Sequence, residues 1–246
     1  MTLFHFARPL ALTILLAALA LPAPLRAEGA ETMRFTASVL GLTAGRMTMS
    51  VNRKGRAYAV TSQTASAGLA GLFQSFTVTN RVRGVESGGK FRPERFESAA
   101  DGARAGRGAE ITYKGGVPTV LSMDEERHPD APVLDPAAQQ GTVDPLTMTY
   151  ALLRDADAGE ACKLSLEVFD GHRRWRGRPG QPEPQGGGVG CQGLFCRVDG
   201  YPPDEIAERR DFPFTVTYAP LPGGSLRPVE VVLDSLFGTA RLTRDD

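Results

Sequence analysis

The sequence predicts an all-β fold: a curved antiparallel sheet forming an open or partial β-barrel, with one short covering helix at about residues 145–154. Three observations predict it. Apolar residues recur with a period of two along most of the chain, Gly and Pro clusters punctuate the alternating runs, and a single segment switches to helical spacing. An antiparallel sheet this long, with one solvated face, curls rather than staying flat.

The elements follow in order. Phe35, Ala37 and Val39 alternate with polar or small residues, the turn Gly41-Leu42-Thr43-Ala44-Gly45 follows, and Met47, Met49 and Val51 return. Tyr58, Val60 and Ser62 mark a third strand, and Phe76, Val78 and Val82 a fourth. Ile111 and Tyr113 lead into a Gly115-Gly116 turn, after which Val117 to Met123 comes back. Asp144-Pro145 reads as an N-cap followed by proline at the first helical position, and Leu146, Tyr150 and Leu153 then share one helical face. Near the C-terminus Phe212, Phe214, Val216 and Tyr218 alternate, and Val229, Val231 and Leu233 return after Pro222-Gly223-Gly224. Ala99–Gly108 and the Gly-, Pro- and Gln-rich stretch Arg178–Gly190 read as loops.

The N-terminus predicts export. Arg8 precedes the apolar run Leu10 to Leu21, Pro22 and Pro24 end that run, and Leu25-Arg26-Ala27 offers a cleavage site. The expectation is a signal peptide at 1–27, a single exported β domain at 28–246, and a periplasmic location. A membrane helix needs roughly 20 apolar residues, and no later segment of the mature chain supplies them. The whole chain balances 28 basic against 28 acidic residues, so no field exists to recruit nucleic acid.

Motif by motif, the sequence offers little catalytic chemistry. Gly188-Val189-Gly190-Cys191-Gln192-Gly193 spells a dinucleotide fingerprint, but a Pro/Gly loop precedes it and a strand follows, where the fingerprint needs a strand and then a helix. Gly84 to Phe91 approaches a phosphate loop, yet Phe91 stands where Ser or Thr must bind magnesium, so it reads as a hairpin turn. His128 and His172 are the only histidines past the leader, with no G-x-S-x-G, and the expectation is no catalytic residue, no metal and no cofactor. The cysteines Cys162, Cys191 and Cys196 read as disulfide material in an exported chain, with one left over and three pairings open.

The densest stretch is Leu164-Ser165-Leu166-Glu167-Val168-Phe169-Asp170-Gly171-His172-Arg173-Arg174-Trp175. Asp170-Gly171 predicts a two-residue hairpin turn. Leu166 then faces Trp175 on an apolar face with Arg173 at its rim, and Glu167 pairs with Arg174 on the other. Arg173, Arg174, Arg176 and Arg178 read either as a basic rim for anionic head groups or as a charged hairpin tip that keeps a strand from aggregating.

A series of short motifs runs along the chain, beginning with Gly41-Leu42-Thr43-Ala44-Gly45, Ala67-Gly68-Leu69-Ala70-Gly71-Leu72-Phe73 and Arg92-Pro93. Val143-Asp144-Pro145-Leu146, Cys162, Val168-Phe169-Asp170-Gly171, Gly193-Leu194-Phe195-Cys196-Arg197-Val198 and Gly200-Tyr201 complete it. In the order and spacing of these motifs the chain resembles the bacterial exported proteins grouped as domain of unknown function 3108, in their alphaproteobacterial form. The family supplies no established reaction. The resemblance implies an exported, mainly antiparallel β protein similar to periplasmic carriers with open barrels. It also implies a Cys162–Cys196 disulfide, with Cys191 as a departure and a local Cys191–Cys196 bridge as the rival pairing.

The functional expectation is a non-enzymatic envelope protein whose concave apolar face holds an amphipathic or lipidic ligand, or a partner segment. Trp175, Leu166, Tyr150 and Leu153 are the candidate lining, with Arg173 and Arg176 at its mouth. The alternatives are a scaffold that binds envelope proteins through sheet edges or the Arg178–Gly190 loop, and a carboxylate-dependent polysaccharide hydrolase.

Overall fold

The computed structural model describes residues 29–246 apart from 69, 70, 72–74, 125 and 126. The expected signal peptide and part of the Ala67–Phe73 motif therefore lie outside the described residues. The strands are β1 (Gly29–Val39), β2 (Leu42–Lys54), β3 (Ala57–Ser66), β4 (Phe76–Ser87), β5 (Lys90–Gly102), β6 (Gly108–Lys114) and β7 (Val117–Met123). After a linker come β8 (Ala156–Asp157), β9 (Leu166–Phe169), β10 (Arg174–Gln185), β11 (Gly188–Asp199), β12 (Asp211–Pro220), β13 (Ser225–Ser235) and β14 (Gly238–Arg244). Among the described residues, α1 (Pro145–Leu153), α2 (Pro203–Glu208) and a 3-10 turn at Pro136–Ala138 join them. The second of these is absent from the sequence reading.

The strands form one antiparallel sheet in the order β7-β6-β5-β4-β3-β2-β1-β14-β13-β12-β11-β10-β9, with β8 attached to β13. The sheet curves but stays open, and β7 and β9 are its two edges. The linker between them crosses the seam. Gly141 N–H donates to Gly116 O at 2.8 Å on the β6–β7 turn. Val143 bridges to Val168 in parallel, Val143 N–H donating to Glu167 O and Phe169 N–H to Val143 O at 2.8 and 2.9 Å.

α1 does more than cover a face. Its sequence Pro-Leu-Thr-Met-Thr-Tyr-Ala-Leu-Leu buries Leu146, Thr147, Met148, Tyr150, Leu152 and Leu153, which lie all around the helix. It contacts β3, β4 and β5 on one side and β9 and β13 on the other, so it runs inside the curve of the sheet. Asp144 caps it, accepting the Thr147 amide at 2.8 Å and the Thr147 hydroxyl at 2.6 Å. Tyr150 meets Tyr58 and Phe91 at ring separations of 5.6 and 5.9 Å. Gly177 lets β10 approach the helix, because a Cβ there would collide with Met148 Cε and Phe195 Cε1.

Three expectations are corrected. The Arg178–Gly190 loop is instead the long hairpin of β10 and β11. Past Gly177, β10 has no second neighbour, and an edge strand accepts Pro182 and Pro184 without losing ladder bonds. The Ala99–Gly108 loop shrinks to 103–107, since β5 continues to Gly102. The Asp170–Gly171 turn is four residues rather than two: Phe169 pairs with Arg174, Val168 with Trp175 and Glu167 with Arg176. Asp170 causes this by accepting the amides of both His172 and Arg173 on one carboxylate oxygen, at 2.9 and 2.7 Å. The shift is two residues, so every side chain keeps its face.

The disulfide is corrected as well. Cys162 pairs with Cys191, at a Cα–Cα distance of 5.4 Å, and Cys196 is free. Residues five apart on a strand point to opposite faces. Cys191 is fully buried on the inner face of β11, in line with Phe195, while Cys196 lies on the other face beside Asp211. The linker that carries Cys162 can reach only the inner one.

Candidate functional site

The largest concavity, about 1070 Å³, opens at the seam. It is built where three separate stretches meet: the start of β5, the β6–β7 turn, and the linker on either side of α1. Its apolar wall includes Phe91, Tyr113, Leu164, Leu166 and Tyr218, and its rim carries Lys90, Arg92, Lys114 and Lys163 against Glu94 and Glu160. The Cys162–Cys191 bridge ties the linker wall to β11. At the helix end, Arg154 pairs with Glu86 at 3.2 Å, both side chains about nine-tenths buried, and its guanidinium lies over Phe91 at 5.3 Å.

Two buried polar atoms of the lining residues lack a hydrogen-bond partner among the described residues, Arg154 Nε and the Tyr113 hydroxyl. Burial, then the charge of Asp144, pushes the ionisation of the Tyr113 hydroxyl well above the ordinary tyrosine range, so it stays a neutral donor. Buried polar atoms are normally satisfied, and a polar atom of a ligand or a water in the groove would satisfy this one.

The six residues expected to line a ligand site separate into four places. Tyr150 and Leu153 are 0 % and 2 % exposed, packed between α1 and the sheet. Trp175 also packs inward, edge-on to Phe195 at 5.7 Å, and Phe195 stacks on Phe214 at 4.3 Å. Leu166 is the one member of the expected apolar lining in the groove wall. Arg176 lies on the outer face of β10, where its Nε donates to Glu167 at 2.8 Å beside the Glu167–Arg174 ion pair. Burial raises the Glu167 carboxyl, but the bonds from Arg176 and Arg174 outweigh it and hold the group below its ordinary range. Arg173 sits at the opposite end of the sheet, against the Tyr201 ring at 5.4 Å.

Periodicity missed Phe91, Tyr113, Lys90 and Lys114 as groove residues. Each belongs to a strand end or turn whose local pattern asks only for a hairpin, and the groove exists only once the linker lies across the seam. Among the described residues no three of His, Cys, Asp or Glu lie close enough to hold a metal ion, and no helix is long and apolar enough to cross a membrane.

A family model described as "Protein of unknown function (DUF3108)" matches residues 32–179. The chain belongs to the DUF3108 family. The matched stretch of this DUF3108 protein begins within β1, contains β2 to β9, the linker and most of the groove wall, and ends within β10. Among solved structures, the chain is similar to a β-barrel-like protein of domain of unknown function DUF1849 from Brucella abortus. That similarity has a TM-score of 0.45 and 13 % identity, covering 88 % of this chain and 97 % of the other. No curated protein matches the DUF3108 chain.

Proposed function

We propose that this DUF3108 protein is a non-enzymatic component of the bacterial envelope, exported to the periplasm, that holds an amphipathic, lipid-like ligand in the seam groove. The carrying observation is the groove itself: about 1070 Å³, apolar within, basic at the rim, with one unpartnered buried hydroxyl. Small-molecule sites are concave, of roughly 300–1,000 Å³, mostly apolar, and oriented by a few polar groups. An acyl chain suits Phe91, Leu164 and Leu166, and an anionic head group suits Lys90, Arg92, Lys114 and Lys163. The ligand site thus moves from the concave face, which α1 fills, to the seam beside it. Periplasmic residence is supported by the leader pattern at 1–27 and by the Cys162–Cys191 bridge, since disulfides persist in oxidising compartments.

Native mass spectrometry of the protein purified from periplasm, followed by solvent extraction, tests the reading. A bound mass that extracts as a lipid, and that Leu166→Arg removes while the variant keeps its unfolding midpoint, is the expected result. A bare protein mass, or a ligand retained by Leu166→Arg, overturns it.

A further inference from the structure

The end of the sheet opposite the groove has two features that the groove reading does not use. Because every strand is antiparallel to its neighbour, the turns at Leu40-Gly41, 103–107, 170–173, 200–210 and Leu236-Phe237 all lie at this end. The first and last of these are adjacent, with Leu40 N–H donating to Thr239 O at 3.0 Å. Together they expose Leu40 (70 %), Leu42 (60 %), Leu236 (41 %) and Phe237 (80 %). Leu40 moreover holds a positive φ of 51°, a conformation that hairpin turns normally give to Asn, Asp or Gly. A strained, bulky, exposed leucine is poor turn chemistry, and strain of this kind marks functional positions.

The second feature is cationic. A cavity of about 270 Å³ at the same end is lined by Arg104, Arg107, Arg127, Arg173, His128 and His172. Its wall also holds Asp170, one carboxylate oxygen of which accepts the amides of its own turn, and whose charge partly offsets those of Arg173 and His172. Arg104 lies over Phe76 and Arg173 over Tyr201, and Arg127 donates to the carbonyls of His128 and Ala131. Among the described residues none of the four guanidiniums forms an ion pair with a carboxylate. Glu125 and Glu126 lie outside those residues.

Apolar knobs and an arginine-lined cavity at one end of the sheet have one shared counterpart. We infer that this end docks on an anionic membrane surface, with Leu40, Leu42, Leu236 and Phe237 entering the boundary of head groups and acyl chains while the arginine cavity takes a lipid phosphate. Protruding apolar side chains suit a fluid that closes around them, whereas a protein partner would have to supply matching pockets. Guanidiniums suit phosphate because their forked donors match its oxygens. Amphipathic burial together with basic charge is the combination that holds peripheral proteins on anionic bilayers. Docking by this end leaves the groove at the far end facing away from the bilayer.

Flotation of the mature protein with phosphatidylcholine vesicles, and with phosphatidylcholine mixed with phosphatidylglycerol, tests the inference. Binding to the mixed vesicles only, weakened by added salt, is expected. Phe237→Ser weakens it about tenfold, the effect of withdrawing one large apolar side chain. Arg104→Gln combined with Arg107→Gln weakens it and flattens the salt dependence. Phe237→Trp keeps the binding and shifts its emission to the blue on the mixed vesicles. Lys54→Gln with Arg56→Gln, which removes two exposed positive charges at the β2–β3 turn of the groove end but outside the groove, leaves flotation unchanged. Equal binding to both vesicles, no binding to either, or equal losses from the Arg104–Arg107 and Lys54–Arg56 pairs overturns the inference. None of those results bears on the groove, whose ligand is read separately by mass.

Discussion

At the groove end the strands reverse through Gly88-Gly89, Gly115-Gly116, Gly186-Gly187 and Gly223-Gly224, all with positive φ. At the opposite end two reversals use Leu40-Gly41 and Leu236-Phe237, and those at 103–107 and 170–173 carry Arg104, Arg107 and Arg173. The first set is what tight turns ask for. The second also uses positive-φ glycines, at Gly41, Gly106, Gly171 and Gly238, but it puts Leu40 at positive φ as well and exposes apolar and cationic groups. Turn geometry alone would make the two ends alike, so the difference has another origin, and a surface-facing role for the second end supplies one. α1 runs between them, with Pro145 at the arginine cavity and Arg154 at the groove.

The largest way to break the contrast lies at the groove end. The Cys162–Cys191 bridge closes a loop of 29 residues, which stabilises by about 4 kcal/mol in the chain-entropy model. Cys162→Ser or Cys191→Ser should lower stability by about that amount in urea unfolding and loosen the groove wall. Cys196→Ser should leave the midpoint nearly unchanged. Equal losses at Cys191 and Cys196 would refute the pairing. The arginine end, which has no covalent tie, should keep its vesicle binding in either bridge variant.

A second effect, about 3 kcal/mol, belongs to the start of α1. Asp144 is fully buried, and burial raises its pKa from the ordinary 3.8 to about 6, against the bonds from Thr147 that lower it. The folded state therefore binds this proton more tightly than the unfolded chain. Stability from this group is full below the ordinary value, falls as pH rises from about 4 to about 6, and is flat above. Asp144→Asn keeps the cap but has no proton to lose, so its urea midpoint should lack that decline. A wild-type midpoint that rises over the same interval, with no difference from the variant, would show that Asp144 ionises freely in the fold.

How much of this was legible in the sequence depends on the range of the signal. Period-two runs such as Met47-Met49-Val51 and Tyr58-Val60 placed β2 and β3 correctly, because a half-buried strand is decided by its own side chains. Asp144-Pro145 fixed the start of α1 for the same reason. Whether α1 covers the sheet or is surrounded by it was not legible, since Thr147 and Met148 are buried by β-strands far away in sequence. Proline-rich β10 read as a loop because edge position, which makes Pro182 and Pro184 harmless, is a property of the whole sheet. The cysteine pairing turned on which face of β11 the linker meets. Of the expected ligand residues, Leu166 alone reached the groove, and Tyr113 carried no local mark of its role.

The smallest predicted effect sharpens the comparison most, because its two readouts move in opposite directions. Leu40→Asn places in the Leu40-Gly41 turn a residue that tolerates positive φ. It should raise stability by about 1 kcal/mol, the scale of left-handed strain in a bulky residue. Leu40 is 70 % exposed, so little packing is lost in exchange. If the turn served only to reverse the chain, the substitution would be an unqualified gain. On the docking account it also weakens flotation with anionic vesicles, because a side chain that enters the bilayer has been replaced by one that does not. The matching change at the groove end, Gly88→Asn, keeps a residue suited to positive φ and should alter neither vesicle binding nor, beyond about 0.5 kcal/mol, stability. Stability gained and membrane affinity lost at one end, with neither moved at the other, is the signature of a turn kept strained for its contact with a surface.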